Sequence, residues 1–174
     1  EAIEAYNQAL AINPDNAEAH NNMGIALKGL VFKRPNMELQ KTISLLLDQK
    51  SRVSPNDIAS SAINLLKFEP NLQKYLKEPN IDKTEQSLQQ TVLELSDLPL
   101  LLKLMGVCCL ADLGLESLLK KVRSGILLAL PSFESTPDAL KFQSALALQC
   151  FTNEYIYDQS KDEEKAITAL EDSI

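Results

Sequence analysis

Residues 1–30, EAIEAYNQALAINPDNAEAHNNMGIALKGL, decide how this chain folds. Ala2, Ile3, Tyr6, Ala9, Leu10 and Ile12 recur at the spacing of one helix face, and Asn13-Pro14-Asp15 then stops the helix with turn chemistry. A second helix is predicted at once, from Ala17 to about Leu30. Its small or apolar residues Ala19, Met23, Gly24, Ala26, Leu27 and Leu30 again keep helical spacing, and Gly24 leaves room for a neighbouring helix to press close. Two short helices across a tight turn make a helical hairpin.

The rest of the chain extends the helical pattern. Arg34-Pro35 breaks it, and Met37 to Lys50 reads as a helix carrying Ile43, Leu45, Leu46 and Leu47. Ser54-Pro55-Asn56-Asp57 is a start signal, with Ser as N-cap, Pro at the first helical position and Asp at the third. The helix behind it, through Phe68, presents Ile58, Ala59, Ala62, Ile63, Leu65 and Leu66. A short segment, Asn71 to Lys77, follows Glu69-Pro70. Lys83 to Leu95 is amphipathic, and Leu100 to Leu110 is so apolar that it should lie at the centre of the fold. Asp112-Leu113-Gly114 is read as a turn into a helix from Leu115 to Leu130, with Leu118, Leu119, Val122, Ile126 and Leu127 inward and Lys120, Lys121 and Arg123 in water. Ser135-Thr136-Pro137-Asp138 caps a helix running into Cys150 and Phe151. The closing segment, from Ser160 to Ile174, should dock by a narrow face through Ala166, Ile167, Leu170 and Ile174.

With 45% hydrophobic residues, only five glycines and no strand-type alternation, the 174-residue chain is expected to be all-α. Its net charge of −7 argues against nucleic acid, whose binding rests on Lys and Arg neutralising phosphates. No apolar run reaches the roughly 20 residues of a bilayer span, so no membrane partner is expected. Cys108, Cys109 and Cys150 lie in apolar runs without C-x-x-C spacing, and are expected to be reduced core thiols of a cytoplasmic protein. The chain opens in mid-helix pattern without Met, so an upstream segment is expected to have been removed.

Catalytic chemistry finds no foothold. The glycines never cluster as a phosphate-cradling loop requires, and His20, the one histidine, is far in sequence from every cysteine. His20 is read as a packing residue; metal sites fail on ligand count, and neither a metal nor a cofactor is expected. Asn153, Glu154 and Tyr155 place three hydrogen-bonding side chains together in the otherwise apolar LALQCFTNEYIY, 146–157. They are candidates for an interface, beside the plainer reading of a helix end whose polar groups cap and reach water.

Two resemblances add to this reading. The hairpin resembles the tetratricopeptide repeat, as the second helix of one 34-residue repeat and the first helix of the next. Ala2, Tyr6, Ala9 and Pro14 stand where that repeat wants Ala, an aromatic, Ala and Pro. Met23, Gly24 and Leu27 stand where it wants a large aliphatic, a small residue and a bulky one, and His20 replaces the frequent Trp. The match fades after about residue 30, since Val31 to Asn36 lacks the usual Gly turn and Asn36 replaces an Ala. Residues 1–31 are therefore taken as the end of a repeat array, and 32–174 as an irregular helical bundle, because repeat spacing is lost there. The resemblance implies that Glu18, Asn21, Asn22, Ile25 and Lys28 line a groove for an extended protein or peptide ligand, Asn22 matching a position that holds peptide backbone. A solvated face would look the same. A repeat helix without its upstream partner leaves an apolar face open, so residues 1–12 are expected to fray, self-associate or borrow a neighbour's surface.

The second resemblance covers residues 32–174. The order of FKRPN, SPNDIASSAINLLKFEPNLQ, LLLKLMGVCCLADLGLESLLKKVRSGILL and ALQCFTNEYIY is similar to the helical region joining repeats to a catalytic domain in bacterial repeat-fused class I methyltransferases. It implies a downstream domain that binds S-adenosylmethionine, with this chain a non-catalytic, substrate-recruiting connector. Alternatives stay open: Glu154 and Tyr155 could belong to a methyltransferase active-site rim, or the chain could be a scaffold with no enzyme attached.

Overall fold

A computed structural model of the chain describes residues 1–48, 54–77, 85–130, 132–152 and 158–172. Among these are ten helices and no strand: α1 (Ala2–Ile12), α2 (Ala17–Leu27), α3 (Met37–Asp48), α4 (Pro55–Leu66), α5 (Pro70–Lys77), α6 (Glu85–Ser96), α7 (Pro99–Val107), α8 (Leu113–Ala129), α9 (Pro137–Thr152) and α10 (Lys161–Glu171). The all-α expectation holds. Proline opens α4, α5, α7 and α9, where its fixed φ suits the first turn and its missing N–H costs nothing.

α1 and α2 form the expected hairpin. The amide of Asn13 closes α1 by donating to Ala9 O at 2.9 Å, and the Asn16 side chain caps α2 by accepting from Ala19 N at 3.0 Å. α2 stops at Leu27 rather than near Leu30, because Gly29 takes a left-handed backbone (φ 69°). The glycine turn sought between Val31 and Asn36 is thus made earlier. Asn36 is the next helix's cap, its Oδ1 accepting from Leu39 N at 3.0 Å.

Beyond the hairpin, α1 neighbours α3 and α2 neighbours α4, which gives two short layers. α7 is the hub: α3, α4, α6 and α9 all pack against it, and Leu100, Leu101, Leu104 and Met105 are buried. One contiguous core runs from Leu10 to Leu146 through these helices. α8 packs on α6, and so closely that a Cβ on Gly125 would lie 2.9 Å from Leu88 Cδ1. The close approach, rather than an unusual backbone, is what Gly125 serves.

A polar seam ties α4 to the end of α2. The fully buried Ser61 hydroxyl donates to Leu27 O at 2.6 Å, satisfying a carbonyl that the helix end leaves open. Asn64 Oδ1 accepts from Phe32 N at 2.5 Å. The Thr42 hydroxyl in α3 donates to Asn7 Oδ1 in α1.

Several local expectations fail. Ile12, Leu30 and Leu45 share spacing with core residues yet are 87%, 37% and 56% exposed, because no neighbouring helix reaches them. Ser54 precedes α4 without a side-chain cap; its carbonyl instead accepts from Asp57 N. Asp112 is not part of a turn but the N-cap of α8, accepting from Leu115 N at 3.1 Å, so Leu113 and Gly114 are already helical. Cys109 is exposed rather than core. Arg123, expected in water, has a side chain only 18% exposed and grips Glu163. Ile174 falls outside the described residues.

Candidate functional site

The helical period puts Glu18, Asn21, Asn22, Ile25 and Lys28 on one side of α2, and the structure places Ala19, His20, Met23, Gly24 and Leu27 of the other side in the core. Burial of that second set orients the helix and turns the first outward. Glu18 and Lys28 are exposed, Ile25 is 56% exposed, and Asn21 and Asn22 are half-buried at the base of the face. Among the described residues neither asparagine amide is engaged in a hydrogen bond, so each keeps a donor and an acceptor.

Lys28 is already partnered. Its Nζ lies 2.9 Å from Asp57 Oδ2 on α4, an exposed pair that is screened by solvent. The Lys28 ammonium holds the Asp57 carboxyl below the usual carboxylate range. The pair also joins two surfaces, since Asn56, Asp57 and Ser60 of α4 are exposed alongside. Sequence reasoning missed this adjacency of α2 and α4. Its signal is the polar run Asn56, Asp57, Ser60 and Asn64 at helical spacing on α4, which identifies a face but not its neighbour.

His20 sits under the face, 4% exposed, with Nε2 2.5 Å from Pro14 O. A backbone carbonyl accepts, so Nε2 carries the proton, and the ring ties α2 to the turn behind α1. Nδ1 is buried without a hydrogen-bond partner among the described residues, and no acid lies close enough to orient a catalytic imidazole. The second candidate cluster, Asn153, Glu154 and Tyr155, lies outside the described residues.

Other titratable groups serve packing. Tyr75 Oη donates to Glu94 Oε2 at 2.7 Å, Gln90 Nε2 to Glu94 Oε1 at 2.7 Å, and Lys74 Nζ lies 3.0 Å from Glu94 Oε2. Gln90 first, then Tyr75 and Lys74, hold the Glu94 carboxyl low against its burial, clasping α5 to α6. Burial, with Cys109 alongside, pushes the Cys108 thiol up to about 11, which leaves it protonated and unreactive at neutral pH. No group of three metal-ligating side chains, and no helix long and apolar enough to cross a membrane, occurs among the described residues.

Comparison with known proteins bears on the hairpin. Residues 1–30 match the family described as TPR repeat, the tetratricopeptide repeat. That span covers α1, α2 and the Gly29 turn. No curated protein and no solved structure matches the chain.

Proposed function

We propose that the chain is a non-catalytic protein-interaction and connector module, in which the outward face of α2 takes an extended peptide and the helices behind it hold that face in place. The observation that carries this reading is the pair of half-buried, unengaged amides of Asn21 and Asn22 on a repeat helix whose opposite side is locked in the core. A groove that binds peptide backbone needs neutral groups that both donate and accept, fixed before the ligand arrives. Three free cysteines support a reducing, cytoplasmic setting.

The test is to select binders from a random peptide library on the chain and titrate them into variants. Asn21→Ala with Asn22→Ala should weaken the selected peptides by about tenfold or more, as loss of two buried hydrogen bonds implies. A library that yields no binder, or binders indifferent to both changes, would defeat the proposal. Light scattering on the same samples checks self-association through α1, for which the exposed Ala2, Ala5 and Ile12 speak. A mass of one chain would exclude it.

The finer reading is that this connector serves an S-adenosylmethionine-dependent methyltransferase domain. Its support is the resemblance of residues 32–174 described above. Calorimetric titration of S-adenosylmethionine into this chain and into a form extended by about 150 residues, a typical domain length, decides it. Binding by the extended form alone is expected. Binding by neither would leave a scaffold without an enzyme, and binding by this chain alone would place cofactor contacts, such as Glu154 and Tyr155, within it.

A further inference from the structure

We propose that α10 is an electrostatic latch on α8, opening and closing as a unit while the other helices stay folded, with Arg123 and Glu163 as its catch. α8 is the one substantial neighbour of α10 among the described helices, whereas each helix of the central core touches several. The face it docks is not apolar in the usual way. Its single buried residue is Glu163, 4% exposed, while Ala166 and Ile167 are half-buried and Leu170 is 43% exposed. Little apolar area holds the helix down, so the polar contacts decide whether it stays.

Those contacts converge on the first turn of α10. Arg123 Nη2 donates to Glu163 Oε1 at 2.8 Å and to Asp158 O at 3.0 Å, gripping both the helix and the chain entering it. Lys120 Nζ, one turn before Arg123 on α8, pairs with Asp158 Oδ2 at 3.1 Å. Glu163 also accepts from Ser160 N at 2.8 Å while the Ser160 hydroxyl accepts from Glu163 N, so the carboxylate that docks α10 also caps it. Burial raises the Glu163 carboxyl, but the Ser160 contacts and Arg123 outweigh it and keep the group ionised at neutral pH. Losing either partner strands a buried charge, which drives the two surfaces apart rather than merely removing an attraction.

Docking and capping fall on the two oxygens of one carboxylate: Oε1 takes Arg123 across the contact while Oε2 takes Ser160 N within α10, so the cap holds the anchoring group in place at the helix start. Opening would present Arg123 and Lys120 on α8 to an acidic competitor, the same charge pattern that α10 supplies from within the chain.

Hydrogen exchange on the full chain at neutral pH tests this. In the native chain α10 amides should be protected, but by less than those of α7. Glu163→Gln and Arg123→Met should each lower α10 protection by about tenfold or more, with protection in α3, α4, α7 and α9 unchanged, since hydrogen bonds to charged groups carry that much. Because the two residues act on each other, the double variant should lose no more than the larger single loss. The latch is overturned if native α10 is unprotected, if it exchanges only together with α7, if the variants spread their loss over the core, or if their effects add. Arg123→Met keeps the aliphatic stem packed, so a loss confined to α10 in that variant is a loss of the catch.

Discussion

Phe142→Ala is expected to lower the unfolding free energy by about 3–5 kcal/mol, a large part of the roughly 5–15 kcal/mol available to a domain. Phe142 is 0% exposed on α9, and two of the other buried apolar residues of that helix, Ala139 and Ala145, are too small to fill the space between α9 and its neighbours α6 and α7. Removing the ring therefore leaves a cavity lined by rigid helices, which costs more than the transfer of the ring itself. Urea titration should show a lower midpoint with an unchanged slope. Leu140→Ala on the same helix is the control: Leu140 is 48% exposed, and its loss should stay within about 0.5 kcal/mol. Similar losses in the two variants would mean that α9 presents a different face to the core.

Leu101→Ala, in α7, should cost about 2–5 kcal/mol, towards the upper end of what leucine truncation produces. Leu101 is 0% exposed in the helix against which α3, α4, α6 and α9 all pack. Four neighbours braced against one another cannot all move in to close the gap. The contiguity of the core adds a second expectation. Since buried side chains run without a break from Leu10 in α1 to Leu146 in α9, the variant should melt in one transition rather than two. Far-ultraviolet circular dichroism reports all helices, and tyrosine fluorescence reports the four tyrosines, Tyr6 in α1, Tyr75 in α5, and Tyr155 and Tyr157. Non-coincident curves would show that the fold does not unfold as one unit.

The candidate face was reached through the repeat that residues 1–30 resemble. Glu18, Asn21, Asn22, Ile25 and Lys28 were singled out by the resemblance of residues 1–30 to the tetratricopeptide repeat, and the helical period then places them on one side of α2. That Lys28 is engaged by Asp57 of α4 could not be read, because the two residues belong to helices whose adjacency depends on the packing of Met23, Leu27 and Ser61. Arg123 shows the same limit. Its place beside Lys120 and Lys121 on α8 looked like a solvated basic face, and only the return of α10 supplied the carboxylate that buried it.

What the sequence by itself determined is local: helix starts at Pro55, Pro70, Pro99 and Pro137, the hairpin of residues 1–30, and the all-α class. Each depends on neighbours within a turn or two, where spacing in the chain dictates spacing in space. Tertiary structure decided which apolar stripes were covered, leaving Ile12 and Leu45 outside, and which charges were buried. Arg123 and Glu163 meet across 40 residues, and Lys67 and Asp112 across 45. No periodicity encodes such meetings, because they follow from the way whole helices share one core, and a residue's environment is then set by side chains far from it in sequence.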